Sequence, residues 1–334
     1  MRINIDDWIN KVLSSKRRYT MPLLTSTGYQ LIKKNIIDGI KKAEIQYRAI
    51  DALNDNYPFS ACPMMMDLSI EAEAFGAEIK YTDNEVPSVT GSLINDTAKI
   101  RSLSVPPFTA RINEYIKAAE LCVANINDKP VFAGCIGPFS LAGRLFGMTE
   151  LMTEMIMSPD EILSLVEKCT AFLENFISAY KDTGVNGVVM AEPAAGMLSP
   201  ELSDDFSSSF IKKIVDKYQD DGFVIILHNC GNNGILNGSM VKTGARVLHL
   251  SSNNDLKKTL SEIPPDIIVM GNIDPVRIIK NRSAAVIKEK ITALLNELKD
   301  HRNFILSSGC DIPPGVPEEN IKAFFDAVEE YNNI

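Results

Sequence analysis

Histidine is scarce in this chain of 334 residues: only His228, His249 and His301 occur, so a site built from several imidazoles is excluded. Positive charge is in deficit. Lysine and arginine number 34 against 43 acids, a formal net charge of −9, which removes the basic face a nucleic-acid partner requires. The same deficit disfavours an anionic membrane surface. No apolar run approaches the roughly 18 residues of a membrane helix. The stretch 1–21 is polar and mixed in charge, with no apolar core of signal-peptide length, so a cytoplasmic protein is expected. No Gly-rich dinucleotide fingerprint follows any apolar run, which weakens a doubly wound nucleotide-binding sheet. Internal repeats, low-complexity tracts and Pro/Ser-rich linkers are absent too, so 1–334 reads as one domain. A chain of this length buries about three quarters of its unfolded surface and needs no disulfides for its core. Its six cysteines are therefore expected to be reduced, each a small core residue, a ligand or a nucleophile.

What is present is a regular alternation. Eight short apolar, β-branched runs end in Gly, Pro, Ser or Asn and read as buried parallel strands. They are Met21–Thr25, Phe59–Pro63, Val131–Cys135, Gly187–Ala191, Val224–Leu227, Val247–Leu250, Ile267–Met270 and Phe304–Leu306. Amphipathic stretches separate them. Ser158-Pro159-Asp160-Glu161 has the makings of a helix start: a cap, proline at the first position, then acids facing the dipole. Ile162, Leu165, Val166, Cys169, Phe172, Leu173 and Phe176 continue it on one face. A last helix is expected from Pro317, burying Ile321, Phe324, Phe325 and Val328. Strands alternating with helices predict an α/β fold, a (β/α)8 TIM barrel with extra N-terminal helices.

Two strand ends carry chemistry. The fifth run, Val224-Ile225-Ile226-Leu227, passes into His228-Asn229-Cys230-Gly231, and the eighth into Ser307-Ser308-Gly309-Cys310. Active sites of barrels sit at the C-terminal ends of the strands. Strand alternation places His228 and Cys230 on one side. Imidazole and thiolate are the usual ligands of zinc, and a His/Cys/Cys set leaves the open position of a catalytic site. Spacing alone leaves a second reading open, in which the cysteines are small buried residues. Cys135, among Ala133, Gly134 and Gly137, reads as packed; Met64, Met65 and Met66 read as core filler. His249, inside Val247–Leu250, reads as a satisfied buried histidine and not as a ligand.

The chain resembles the uroporphyrinogen decarboxylase superfamily, and within it the zinc-dependent methylcobamide:thiol methyltransferases, of which the coenzyme M enzymes are best known. The resemblance runs from about Met21 to the C-terminus. It rests on Met66-Asp67-Leu68-Ser69-Ile70-Glu71-Ala72-Glu73-Ala74-Phe75-Gly76, on Gly134-Cys135-Ile136-Gly137-Pro138-Phe139-Ser140-Leu141-Ala142-Gly143, and on Leu227-His228-Asn229-Cys230-Gly231. Met270-Gly271-Asn272-Ile273-Asp274-Pro275-Val276 and Ser308-Gly309-Cys310-Asp311-Ile312-Pro313-Pro314-Gly315-Val316-Pro317 complete it. It implies a barrel, a cytoplasmic location and a Zn2+ bound by His228, Cys230 and Cys310. The implied reaction moves a methyl group from a methylcorrinoid to a small thiol such as coenzyme M. The corrinoid is expected on a separate corrinoid protein, because the Asp-x-His-x-x-Gly motif of a cobalt-ligating carrier is missing.

Three carboxylates stand near the expected mouth. Asp67 matches the aspartate that holds the pyrrole nitrogens in the decarboxylases, and it also suits a helix cap. Glu192, after the fourth run, can take a proton from a thiol, fill the vacant zinc position at rest or orient a ligand; a solvated loop residue is the other reading. Asp274 is either a partner of His228 or the cap of the next helix. The alternative function is tetrapyrrole decarboxylation of the uroporphyrinogen decarboxylase type, without metal. That reaction calls for arginines to hold several propionates, and Met21–Tyr29 contains none. Cys310 also stands where the decarboxylases carry histidine.

Overall fold

A computed structural model describes residues 3–333. Eight parallel strands form its centre: β1 (Tyr19–Thr20), β2 (Cys62–Pro63), β3 (Val131–Ile136), β4 (Gly187–Ala191), β5 (Val224–Asn229), β6 (Val247–Leu250), β7 (Ile268–Ile273) and β8 (Phe304–Ser308). Their hydrogen-bonded order is β1-β8-β7-β6-β5-β4-β3-β2. Ser60 joins the two ends: its N–H donates to the Thr20 carbonyl at 2.9 Å, and its Oγ accepts from the Thr20 N–H at 2.9 Å. The barrel expected from the alternation of strands and helices is thus present.

Strand alternation sorts the side chains into two cores. Phe132, Val189, Val224, Ile226, Val247, Ile268, Met270 and Ile305 cluster with Met21, Leu23 and Ala61 inside the barrel. Their sequence neighbours, among them Ala133, Val188, Ile225, Leu248 and Val269, pack outward against the helices. Helix Ile5–Ser14 stops the N-terminal end of the barrel, adding Ile5, Trp8, Ile9 and Val12 to the inner core. Trp8 meets Phe132 edge-on at 5.7 Å between ring centroids. Such a pair adds roughly 0.5–1.5 kcal/mol beyond its buried area.

Local chemistry moved several boundaries. β1 lies just before the expected Met21–Thr25: beyond the Met21 N–H bond to Leu306 O at 3.0 Å, the next N–H facing β8, that of Leu23, donates to Ser308 Oγ at 3.0 Å and not to a ladder carbonyl. Only Cys62–Pro63 of the second run is laddered, and β5 runs on to Asn229, which puts His228 within the strand. The Pro159–Thr183 helix buries every expected apolar position. Ser158, however, makes no side-chain cap, since it follows directly on helix Met148–Met157. Helix Glu318–Asn332 begins after Pro317 as expected. An antiparallel hairpin, Glu78–Lys80 with Ser88–Thr90, was not foreseen. Its three-residue arms are too short to register as alternation.

Among the described residues, no helix is long and apolar enough to cross a membrane.

Candidate metal centre

β5 carries His228 with its side chain inward, in register with His249 on β6. Inward parity at Val224 and Ile226 dictates this, since the side-chain period of a strand is two. Cys230 follows β5 directly, and Cys310 lies two residues past the end of β8. The chain therefore brings together residues 80 apart in sequence. One ligand atom from each of His228, Cys230 and Cys310 lies within 4.8 Å of the other two. The three line a cavity of about 270 Å³ at the mouth, together with Met66, Ser69, the hairpin segment Val86–Val89, Arg144 and Asp311.

The thiols at this site differ from the others. Cys62, Cys122, Cys135 and Cys169 are buried, and burial pushes each thiol up, that of Cys62 to about 12. Cys230 is drawn down to about 7 by its hydrogen bond with Cys310. Cys310 is held up, to about 12, by that same bond and by burial. A first proton is lost readily and the second is retained, as in a dithiol prepared for a cation. The donor set, its mutual distances and its easily ionised thiol fit a zinc ion in the manner of a His/Cys/Cys site.

His228 is oriented from below. Its Nδ1 lies 2.7 Å from His249 Nδ1, and His249 Nε2 lies 2.8 Å from Ser307 Oγ. His249 is wholly buried, and burial, with His228 alongside, holds its imidazole well below the usual range, so it is neutral. The expectation that His249 is a satisfied buried histidine agrees with this placement. Asp274, the other candidate partner of His228, instead caps the segment Pro275–Lys280, accepting from the N–H groups of Val276 (2.9 Å) and Arg277 (2.6 Å).

The two carboxylates expected to assist are buried, and neither is among the residues lining the cavity. Asp67 Oδ2 accepts from Arg111 (2.9 Å) and Tyr115 (2.8 Å), while Oδ1 accepts from Ser69 Oγ (2.6 Å) and the Ser69 N–H (3.1 Å). Glu192 accepts from the N–H groups of Phe139 (2.8 Å) and Ser140 (3.0 Å) and from Ser207 Oγ (2.9 Å). Its carboxylate therefore sits on the N-terminus of helix Pro138–Phe146, where the dipole favours an anion. Burial still pushes its affinity for a proton upward. Gly137 makes room for it, since a Cβ there would stand 2.1 Å from Glu192 Oε2.

Two features of the mouth were not legible beforehand. Met66, read as core filler, is half-buried and lines the cavity, unlike Met64 and Met65. Arg144 is exposed, lines both this cavity and an adjoining one of about 430 Å³, and has no hydrogen-bond or ion-pair partner among the described residues. A lone arginine on a helix carries no periodic signal that would single it out.

Comparison with known proteins places this geometry in context. The family model described as "Uroporphyrinogen decarboxylase (URO-D)" matches residues 18–331. A uroporphyrinogen decarboxylase from Prochlorococcus marinus (strain MIT 9215) is 30% identical over 274 residues, 79% of this chain and 77% of that protein. A methylcobamide:CoM methyltransferase (MtbA) from Methanosarcina mazei is 28% identical over 282 residues, 82% of this chain and 80% of that protein. The solved structure of a methyltransferase from Methanosarcina mazei superposes with a TM-score of 0.87 at 21% identity, covering 98% of this chain and 99% of that one.

Proposed function

This chain belongs to the uroporphyrinogen decarboxylase (URO-D) family, and from that premise we propose that it is a zinc-dependent methyltransferase, moving a methyl group from a protein-bound methylcorrinoid to a small thiol. The observation that carries the reading is the convergence of His228, Cys230 and Cys310 on one point of the barrel mouth. His228, Cys230 and Cys310 would hold the zinc, whose Lewis acidity would favour the deprotonated form of a substrate thiol near neutral pH. The residues themselves do the rest. Cys230 and Cys310 present sulfur donors whose first proton leaves easily, and His228 presents an imidazole locked from behind. Asp67 and Glu192 act through what they hold: Asp67 fixes Ser69 on the cavity wall, and Glu192 ties the loop after β4 to helix Pro138–Phe146. Arg144 is the one arginine among the lining residues, and it suits an acceptor thiol with an anionic end, coenzyme M being an example. The methyl donor is expected on a separate protein docked at the mouth, since the barrel interior below the site is filled.

The family also contains decarboxylases, and the site argues against that chemistry here. Several propionates require several cations, whereas Arg18 is buried and spends its guanidinium on the Leu298 and His301 carbonyls, each at 2.6 Å. Both Asp67 oxygens are already occupied, so neither is free for a pyrrole nitrogen. The test is elemental analysis of purified wild type beside Cys230→Ala and Cys310→Ala, followed by thiol methylation with methylcobalamin as donor. About one zinc per chain in wild type, lost in both variants together with methyl transfer, is the expected result. A metal-free wild type that resists loading, or full transfer by both variants, defeats the reading.

A further inference from the structure

The orientation of His228 follows from a chain of constraints that ends on the backbone of the first barrel strand segment. Two imidazole nitrogens, His228 Nδ1 and His249 Nδ1, stand 2.7 Å apart. At that separation one must carry a proton and the other a lone pair, because two protons or two lone pairs repel. Geometry at the far side of His249 decides which. Ser307 Oγ donates its single hydrogen to the Met21 carbonyl at 2.7 Å, and Met21 is fully buried. Having spent that hydrogen, Ser307 can only accept from His249 Nε2, 2.8 Å away, so Nε2 must be protonated. His249 has no exposed surface, and no carboxylate among the described residues bonds to its ring, so a second ring proton would be an unpaired buried charge. Its Nδ1 is then bare and accepts from His228 Nδ1–H. The consequence is that His228 Nε2 keeps its lone pair and is ready to ligate.

We infer that His249 and Ser307 are positioning residues of the metal centre: the relay Met21 carbonyl–Ser307–His249–His228 fixes His228 in the Nδ1–H tautomer before any metal arrives. His249 is not itself a ligand, since both its nitrogens are engaged. Neither residue reaches the cavity. Three strands contribute to the relay, β5, β6 and β8, with the carbonyl adjoining β1, so it belongs to the packed interior of the barrel. Outer partners of this kind typically change metal affinity by about 10–100-fold when removed. The inference rests on the zinc reading for its purpose, but the tautomer is a property of the apo protein and is tested without metal.

The experiment is long-range 1H–15N correlation on apo protein labelled at histidine, which separates protonated from bare ring nitrogens, assigned with His301→Gln and His249→Gln. Protonated Nδ1 on His228 with protonated Nε2 on His249 is the expected pattern; the Nε2–H tautomer on His228 overturns the inference. A second readout is zinc dissociation by chelator competition, with zinc alone as ligand. His249→Leu is expected to weaken binding about 10–100-fold and Ser307→Ala about 3–10-fold. His249→Gln, which can offer an acceptor oxygen to His228, is expected to recover part of the loss. Zinc affinity within twofold of wild type in a folded His249→Leu protein overturns the positioning role. A wild type that binds no zinc defeats the proposed function while leaving the tautomer assignment standing or falling on its own spectrum.

Discussion

Glu71 offers a test of the buried electrostatics behind the mouth. Its side chain is fully buried; Oε1 accepts from the Ile136 N–H at 2.9 Å, and Oε2 has no hydrogen-bond partner among the described residues. Burial lifts the carboxyl from 4.5 to about 8, aided by the negative charge of Asp67. Because the folded-state value is raised, the folded protein binds the proton more tightly than the unfolded chain. Stability is therefore intact below pH 4.5, falls as pH rises through the window, and carries the full penalty above pH 8. With about 1.4 kcal/mol for each tenfold change in proton affinity, the loss between pH 5 and pH 8 comes to about 3 kcal/mol. Glu71→Gln keeps the volume and the acceptor for Ile136 but cannot ionise. Its amide leaves an unpaired donor, costing roughly 1–3 kcal/mol at every pH. The variant is thus expected to be less stable than wild type at pH 5 and to gain about 3 kcal/mol on it by pH 8, measured by urea unfolding at fixed ionic strength. Parallel pH profiles for the two proteins would refute the reasoning.

Three further outcomes follow from the packing. Trp8→Ala unstops the base of the barrel and removes the Phe132 contact, and is expected to lose roughly 3–5 kcal/mol in denaturant unfolding with zinc content unchanged. Gly137→Ala sets a methyl group 2.1 Å from a pinned Glu192 oxygen; breaking the bonds to Phe139 and Ser140 is expected to lower stability by roughly 1–3 kcal/mol, seen as a lower Tm. Arg144→Gln touches no other described residue by hydrogen bond or ion pair, so Tm is expected to hold while KM rises about tenfold or more for an anionic thiol and stays within twofold for a neutral one. Equal changes for both thiols would remove Arg144 from substrate recognition.

Much of the barrel was legible because its interior strands are doubly buried and read as continuous apolar runs, as in Val224–Leu227 and Val247–Leu250. The two shortest strands were the least legible: each has only two laddered residues, and Ser60 joins β1 to β2 through a side chain and a single backbone bond. His228, Cys230 and Cys310 could be paired beforehand because each stands at or just beyond a strand end, and strand ends of a barrel share one rim. Other roles needed register. Whether His249 faces His228 depends on the alignment of β5 with β6, which no single-strand pattern contains. Glu192 and Asp274 stood in suitable loops, yet which way each carboxylate turns was decided by the N–H groups of a neighbouring helix start, satisfied more strongly than a solvent-facing site would be.

The relatives divide between decarboxylases and methyltransferases at similar identity, so overall similarity does not choose a reaction. The choice lies in how few groups the barrel leaves unspent at its mouth. Asp67 is clamped by Arg111, Tyr115 and Ser69, and Glu192 is used up on a helix N-terminus. Among the described residues, the titratable side chains lining the cavity are one imidazole, two thiols of opposed proton affinity, the guanidinium of Arg144, which has no hydrogen-bond or ion-pair partner, and Asp311. A tetrapyrrole with several carboxylates finds too few cations in that set, whereas the proposed function would seat its metal on the sulfur and imidazole donors and the anionic end of its thiol on Arg144.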